Sequence, residues 1–446
     1  MIDLSYKKYM DDLDYIIENT PKQTKNNKTF LLDGLSEEYL IKKYNLYLKY
    51  KNTKDKELKL KLDYMKNYFK FKIYLYYIIC SYSNNIIKFY NKYKNKYSID
   101  NYQKVLNEYN NIIKTIIMRL KEALNLNITI PYIICIKFME QIKDYNKELY
   151  NFIKNNYLNK CRKTIGLCHL PNGKKIYKIL LKNTLGGLSK TPVEIHNLGL
   201  SLVKTIKKPK NKEFYTSKKK LFKDCKKLAL YIYENIIEKY FHYKPDIPFT
   251  LEVVSKKLEK TTSLAYYMPS TDIVYINLSY YKELDKQSLY SLLMHECFHQ
   301  YHYRFMKRYN LEFNNNIILT EGFAHYMEIY SDNYDDNNNL SILRKLRLVV
   351  DTGINYYGWT YKKALNYMNK YLPDRKDNNI NEIDRYICNP TQSLCYLVGK
   401  LEIIKMRDKF LKDKKGTIKD FHHKLLQESH LSFLSLHKKN KNKNNN

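Results

Sequence analysis

The chain has 446 residues and a formal net charge of +34, with 79 Lys and Arg against 45 Asp and Glu. That length provides two or three domains or one large helical one, and an ample core. Only nine of the basic residues are Arg, and the chain is rich in Lys, Asn, Tyr and Ile, residues of AT-rich codons. The basicity is therefore spread by codon bias, and with no nucleic-acid motif beside it no specific nucleic-acid partner is expected. The N-terminus, MIDLSYKKYMDDLDYIIENT, carries early acids and no apolar secretory core. The most apolar run, Ile73 to Cys80, is too short to span a bilayer. The eight cysteines show no C-x-x-C pair and read as reduced thiols. A cytoplasmic or otherwise intracellular setting without a membrane is expected. Composition says nothing of the oligomeric state.

Residues 1 to 165 read as helical, with apolar residues at three- and four-residue spacing in Tyr39–Tyr50, Leu60–Tyr82, Val105–Leu124 and Ile134–Tyr157. Asn26–Asn27 and Ser81–Asn85 read as turns, and Pro131 separates the last two helices. This N-terminal region is expected to form a wall or lid of a cleft. Thr191-Pro192-Val193-Glu194 predicts a helix start, with Thr as N-cap, Pro at the first position and Glu closing a capping box. A lysine-rich linker, 207–220, precedes an amphipathic helix over Leu221–Tyr240. Phe249–Val254, Ser263–Met268 and Asp272–Leu278 predict short strands. Residues 166–437 read as one catalytic region, and 438–446 as a disordered basic tail.

The centre of the chain is His295-Glu296-Cys297-Phe298-His299, an H-E-x-x-H motif. Residues four apart share a helix face, so His295 and His299 can direct two imidazoles at one metal ion. Glu296 follows the first of them and suits a general base. A catalytic zinc site needs a third protein ligand and one open position. Glu321 is the best candidate, opening the helical stretch EGFAHYME after an Asn-rich turn at 314–316; Gly322 and Ala324 would permit close helix packing. A small sheet just before the metal helix offers a strand edge for a peptide backbone. Tyr267 lies there as a candidate for substrate binding.

These residues and several separated blocks resemble domain-of-unknown-function family 885, helical zinc metallohydrolases related to the gluzincin peptidases. The blocks are LPNGKKIY, TPVEIHNLGL, AYYMPSTDIVYINL, EGFAHYME, LRLVVDTGINYYGWT, IDRYICNPTQSLCYLVGK and FHHKLL. The resemblance implies a mainly α, zincin-like (gluzincin) metallopeptidase fold with a small β-sheet beside the metal helix. It implies one Zn2+ per chain and a peptide or other amide as substrate. Tyr386 and Tyr396, in the matching blocks, become candidate catalytic donors to an oxyanion, and Arg385 a candidate for a substrate carboxylate. Glu328 and Asp351 are candidates to orient ligand histidines. The family has H-E-x-x-P-G-H-H where this chain has HECFHQYH. His302, seven residues past His295 and on the same face, is therefore an alternative second ligand to His299. The family also carries His where this chain has Asn355. An alternative function is accordingly a catalytically inactive member serving as a structural or binding module; a basic nucleic-acid binder is the other.

Overall fold

The computed structural model describes residues 8–13, 23–24, 29–30, 36–77, 99–207, 213–259, 262–311, 316–332 and 334–442. The turns read at Asn26–Asn27 and Ser81–Asn85, the thiol of Cys80, linker residues 208–212, Asn314 and Asn315 of the Asn-rich turn and residues 443–446 of the basic tail lie outside them, whereas residues 438–442, read as disordered, belong to a helix that runs Phe433–Asn442. The protein is mainly helical with one small three-stranded sheet. No described helix is long and apolar enough to cross a membrane. The seven described cysteines are free thiols.

The chain forms two compact units. The first comprises Met1–Asn183, Gly353–Ala364 and Asn381–Pro390; the second comprises Thr184–Thr352, Leu365–Ile380 and Thr391–Asn446. In the first unit, the helix Lys56–Lys70 begins at Asp55, whose carboxylate accepts the Leu58 N–H. Leu58, Leu62 and Met65 then fall on one face by the 3.6-residue period and bury against Leu46 and Tyr9. The same unit holds Asn355, fully buried. Its Oδ1 accepts from Leu167 N–H (3.3 Å) and its Nδ2 donates to Tyr386 C=O (3.0 Å). The amide therefore ties two backbone segments together.

In the second unit, the capping box at Thr191 forms as its residue types require. Thr191 Oγ1 accepts from Glu194 N–H (3.2 Å), Glu194 Oε2 accepts from Thr191 N–H (2.7 Å), and the helix runs Pro192–Lys204. Strands β1 (Leu251–Val253), β2 (Ala265–Met268) and β3 (Ile273–Ile276) lie in the order β1-β3-β2, parallel between β1 and β3 and antiparallel between β2 and β3. β2 is thus an edge strand. After it come the helices α1 (Lys286–Arg308), α2 (Ile317–Met327), α3 (Asn339–Asn355), α4 (Cys395–Lys412), α5 (Ile418–Gln427) and α6 (Phe433–Asn442).

Two features fix these helices. The first is a close crossing of α2 and α4 at Gly322 and Gly399. A Cβ at Gly322 would lie 2.6 Å from the Gly399 Cα, and one at Gly399 would lie 2.3 Å from the Ile318 carbonyl oxygen. Both obstacles are backbone and cannot turn aside. The second is an aromatic core in which Phe241 packs on Tyr301 (4.5 Å between centroids) and stacks on His422 (4.8 Å). His422 is fully buried, with Nδ1 2.9 Å from the Tyr240 carbonyl and Nε2 2.9 Å from the Tyr326 hydroxyl. A carbonyl only accepts, so Nδ1 carries the proton and Nε2 accepts from Tyr326. Burial holds the His422 pKa down to about 4.

Gly322→Ala is expected to lower stability by about 1–3 kcal/mol through overpacking, read as a shift in the denaturant midpoint. His422 binds a proton more readily unfolded, near 6.5, than folded, near 4. Its contribution is present above pH 6.5 and lost as pH falls toward 4. Between pH 7 and 5 this group alone should remove about 2 kcal/mol of stability. Unfolding of the parent and of His422→Gln at both pH values checks it; an equal pH dependence in the two would refute the assignment.

Candidate metal centre

Helix α1 is capped by Asp285, which accepts from Ser288 N–H at 2.8 Å. Its apolar residues bury nearly all round, and His295 and His299 follow one turn apart on the face toward α2. His295 Nε2 lies 3.1 Å from His299 Nε2 and 3.2 Å from Glu321 Oε2, and His299 Nε2 lies 3.4 Å from the same oxygen. Two imidazole nitrogens this close need a proton or a shared cation between their lone pairs. With metal–ligand distances of about 2.0–2.1 Å, tetrahedral vertices lie about 3.3 Å apart, so the three atoms fit the donor set of one four-coordinate ion with a vertex to spare. Among the described residues, His295, His299 and Glu321 are the group of His, Cys, Asp and Glu side chains placed to share an ion. The His295 side chain is 5% exposed, His299 14% and Glu321 20%, so access is from the His299 and Glu321 side.

The electrostatics follow from burial and pairing. Burial pulls the His295 pKa down, but Glu321 and Glu328 outweigh it and raise it to about 9 in the metal-free chain. Burial lifts Glu321, and its contacts with His295 and His299 more than reverse this, holding it well below the ordinary carboxylate range. Glu328 is fully buried; its Oε1 lies 3.1 Å from His295 Nδ1. Arg344 on α3 grips both oxygens of Glu328, at 2.6 and 2.7 Å. A carboxylate at Nδ1 fixes the ring and presents Nε2 to the centre. Beyond it, buried Lys400 donates to the Tyr334 hydroxyl (2.7 Å), and burial lowers its pKa to about 8.

Glu296 projects toward the sheet, where its Oε2 accepts the Tyr267 N–H at 2.9 Å. Tyr267 thus meets the site through its backbone. Its hydroxyl donates to Asp272 Oδ1 (2.9 Å), and the hairpin that carries both is held to α1 by Arg304, whose Nε donates to Asp272 Oδ2 (2.8 Å). Tyr396, at the start of α4, stacks on His295 with centroids 5.8 Å apart and planes at 22°. The Arg347 guanidinium lies 4.6 Å from the centre of the Tyr396 ring.

The other sequence candidates sit elsewhere. His302 is buried against Phe323 of α2, with ring centroids 5.7 Å apart, and burial lowers its pKa to about 3. It is not among the three converging ligand atoms. Asp351 is fully buried and accepts from Thr391 N–H (3.0 Å) and Ser393 Oγ (3.1 Å), which fixes the turn that enters α4. Its bonds steady the helix that carries Tyr396. Arg385 and Tyr386 belong to the first unit, where both turn to Glu382: Tyr386 Oη donates to Oε2 at 2.7 Å, and Arg385 Nη1 lies 3.4 Å from Oε1. Arg344, Arg347 and Arg304 escaped residue-by-residue reading. Their signal was regional: seven of the nine arginines fall between Arg304 and Arg407.

A family model described as a bacterial protein of unknown function (DUF885) matches residues 208–432. No curated protein matches the chain. Solved structures do. One is a candidate lipoprotein of unknown function from Shewanella oneidensis, 14% identical, covering 96% of this chain and 97% of its own, with a TM-score of 0.63. Another is a candidate lipoprotein from Colwellia psychrerythraea, 20% identical, covering 71% of each chain, with a TM-score of 0.58. At these identities the likeness is one of fold.

Removing one partner of a buried ion pair strands the other charge. Arg344→Ala is therefore expected to cost about 3–5 kcal/mol of stability, while Lys143→Ala, whose ion pair with Glu140 is exposed on both sides, should cost only a small fraction of that. Urea unfolding of the two variants side by side checks this.

Proposed function

The chain belongs to the DUF885 family, and we propose that it is a zinc-dependent hydrolase of amide bonds, most simply a peptidase with a gluzincin-like site. The observation that carries this reading is the convergence of His295 Nε2, His299 Nε2 and Glu321 Oε2, with Glu296 next to His295 on α1. Two imidazoles and one carboxylate suit zinc, and leave one position for water or substrate. Bound zinc would supply Lewis acidity and bring the pKa of its water to about 7.

The rest of the work falls to the chain. Glu296 takes a proton from the attacking water and returns it to the leaving nitrogen. Its carboxylate is kept aimed by the Tyr267 N–H, which also ties it to the edge strand. β2 has only one neighbour, β3, so its outer edge can take an extended peptide by strand pairing. That would lay the scissile amide across the strand end nearest Glu296. Tyr396, stacked on His295, is the candidate donor to the developing oxyanion. Glu328 and Arg344 hold the His295 tautomer.

Elemental mass spectrometry of the purified protein should find about one zinc per chain, lost in His295→Ala. Glu296→Gln should keep the zinc and lose at least about a hundredfold in peptide hydrolysis. A parent protein that takes up no zinc when zinc is supplied would sink this reading.

A further inference from the structure

The first unit holds a pair of thiols that the metal centre does not use. Pro131 and Arg162 form a parallel bridge, in which Arg162 N–H donates to Ile130 C=O (3.2 Å) and Tyr132 N–H donates to Arg162 C=O (2.8 Å). Pro131 caps the helix Tyr132–Ile142, and Cys135 lies in its first turn, its N–H on the Pro131 carbonyl at 2.9 Å. Cys161 directly precedes Arg162, at the end of the short helical turn Leu158–Lys160. The bridge therefore brings together two cysteines that are distant in the chain. The Cys135 thiol donates to the Cys161 sulfur; that bond first, and burial second, push its pKa up. Fully buried Tyr157 sits beside them: its hydroxyl accepts from Ile130 N–H at 3.1 Å and is close enough to both sulfurs for a thiolate on either to raise its own pKa.

The surroundings hold the pair in place. Arg162 Nε donates to Thr129 C=O (2.7 Å), and its Nη1 donates to the carbonyls of Thr164 (3.0 Å) and Gly166 (2.9 Å). One guanidinium thus ties both sides of the bridge. Gly166 is itself pressed on backbone, since a Cβ there would lie 1.9 Å from the Ile354 carbonyl oxygen. The two thiols differ in access: Cys135 is fully buried and Cys161 is half-buried. Other cysteines lack this combination of a facing thiol and an open side. Cys168 donates to Ile354 C=O (3.7 Å) and Cys395 to Thr184 C=O (3.6 Å), while Cys225 and Cys297 are fully buried.

Thiols already in hydrogen-bond contact need only a short approach to bond covalently. We infer that Cys135 and Cys161 form a reversible disulfide, a redox clasp across the Pro131–Arg162 bridge, made by exchange with a low-molecular-weight disulfide such as oxidised glutathione. Cys161, the accessible partner, attacks as thiolate one sulfur of glutathione disulfide. The S–S bond of the reagent breaks, and the first glutathione leaves and takes up the proton that Cys161 released. Cys135 then gives up its proton and attacks the Cys161 sulfur of the mixed disulfide, and the second glutathione leaves with that proton. Two protein thiols are oxidised to one disulfide, and one glutathione disulfide is reduced to two thiols.

The test incubates the reduced full chain with oxidised glutathione, traps free thiols by alkylation during unfolding, and reads unreduced digest peptides by mass spectrometry. A cross-link between the peptides bearing Cys135 and Cys161 is expected, with two of the chain's eight thiols lost to alkylation and both effects reversed by dithiothreitol. In Cys135→Ala the resolving thiol is gone, so glutathione should remain on Cys161 at a level about tenfold or more above the parent's. If that variant does not fold, Cys161→Ser, at the half-buried position, supplies a second reading: the cross-link is lost and Cys135, shut off from solvent, takes up no glutathione. A parent that keeps all eight thiols, a cross-link through other cysteines, equal glutathione on Cys161 in the parent and in folded Cys135→Ala, or glutathione on Cys135 in Cys161→Ser would each overturn the inference.

Discussion

The carboxylate of Glu328 is the constraint on which the centre depends. It is fully buried, where an unpaired charge would cost several kcal/mol. Arg344 meets it with two charge-assisted bonds, and His295 Nδ1 takes a position at Oε1. Glu328 directly follows α2, Arg344 lies on α3 and His295 on α1. One desolvated anion therefore couples three helices and dictates which ring nitrogen faces Glu321. A buried pair of this kind is a weak source of net stability, because desolvation consumes most of the Coulomb attraction. Its consequence here is geometric: Nδ1 is committed to Glu328, so Nε2 is the ring nitrogen directed at the centre.

Position along the helices is set separately. At the Gly322–Gly399 crossing, α2 comes to backbone contact with α4, and Glu321 is the residue next to that contact. α4 carries Tyr396 onto the His295 ring, and Asp351 fixes the turn from which α4 starts. Thr391 in that turn has φ +73, a left-handed conformation that a β-branched residue adopts only when its surroundings insist. Two N–H···O contacts from Thr391 to Asp351 and an O–H···O bond from the Ser393 hydroxyl supply that insistence. On the other flank, the β2–β3 hairpin is fastened to α1 by Arg304, which binds Asp272, itself at φ +55 and held within the hairpin by the Tyr267 hydroxyl. The edge strand and the H-E-x-x-H helix are thereby held in register, and the Tyr267 N–H reaches Glu296 as a result.

Much of this was legible in the chain. The capping box at Thr191, the three strands and the i, i+4 pairing of His295 with His299 all follow from local spacing and residue chemistry. Glu321 followed from the small residues after it, although α2 opens earlier than expected, at Ile317, and Glu321 lies one turn inside it. The choice between His299 and His302 did not follow, because residues four and seven past His295 share its face. They differ along the axis, by about 6 and 10.5 Å from His295, and what occupies the facing helix at each level decides. Glu321 stands opposite His299, and Phe323 packs on His302. Arg385 and Tyr386 show the same limit of local reading. Both lie in a matching block, yet each turns to Glu382 one helical turn back, and the chain's repeated passage between the two units places them in the first. Which unit a short segment joins depends on contacts far apart in sequence, and no periodicity encodes it.

Composition carried more information about the centre than about a ligand. In a chain where Lys supplies most of the cationic charge, an Arg marks a place where a point charge does not suffice. Arg304 uses its fork to bind a carboxylate and backbone carbonyls together. Arg344 requires two parallel donors to close both oxygens of Glu328 in a dry interior. Arg347 presents a flat cation to the ring of Tyr396. Each depends on planarity, and each lies within three contacts of His295 or Glu296. The many lysines are indifferent to such geometry and stand mostly in solvent. Lys400 is a buried exception, and its pKa of about 8 shows the strain of placing an ammonium where the fold elsewhere uses guanidinium. The distribution of nine arginines thus outlines the support of the site more faithfully than a net charge of +34 describes its partners.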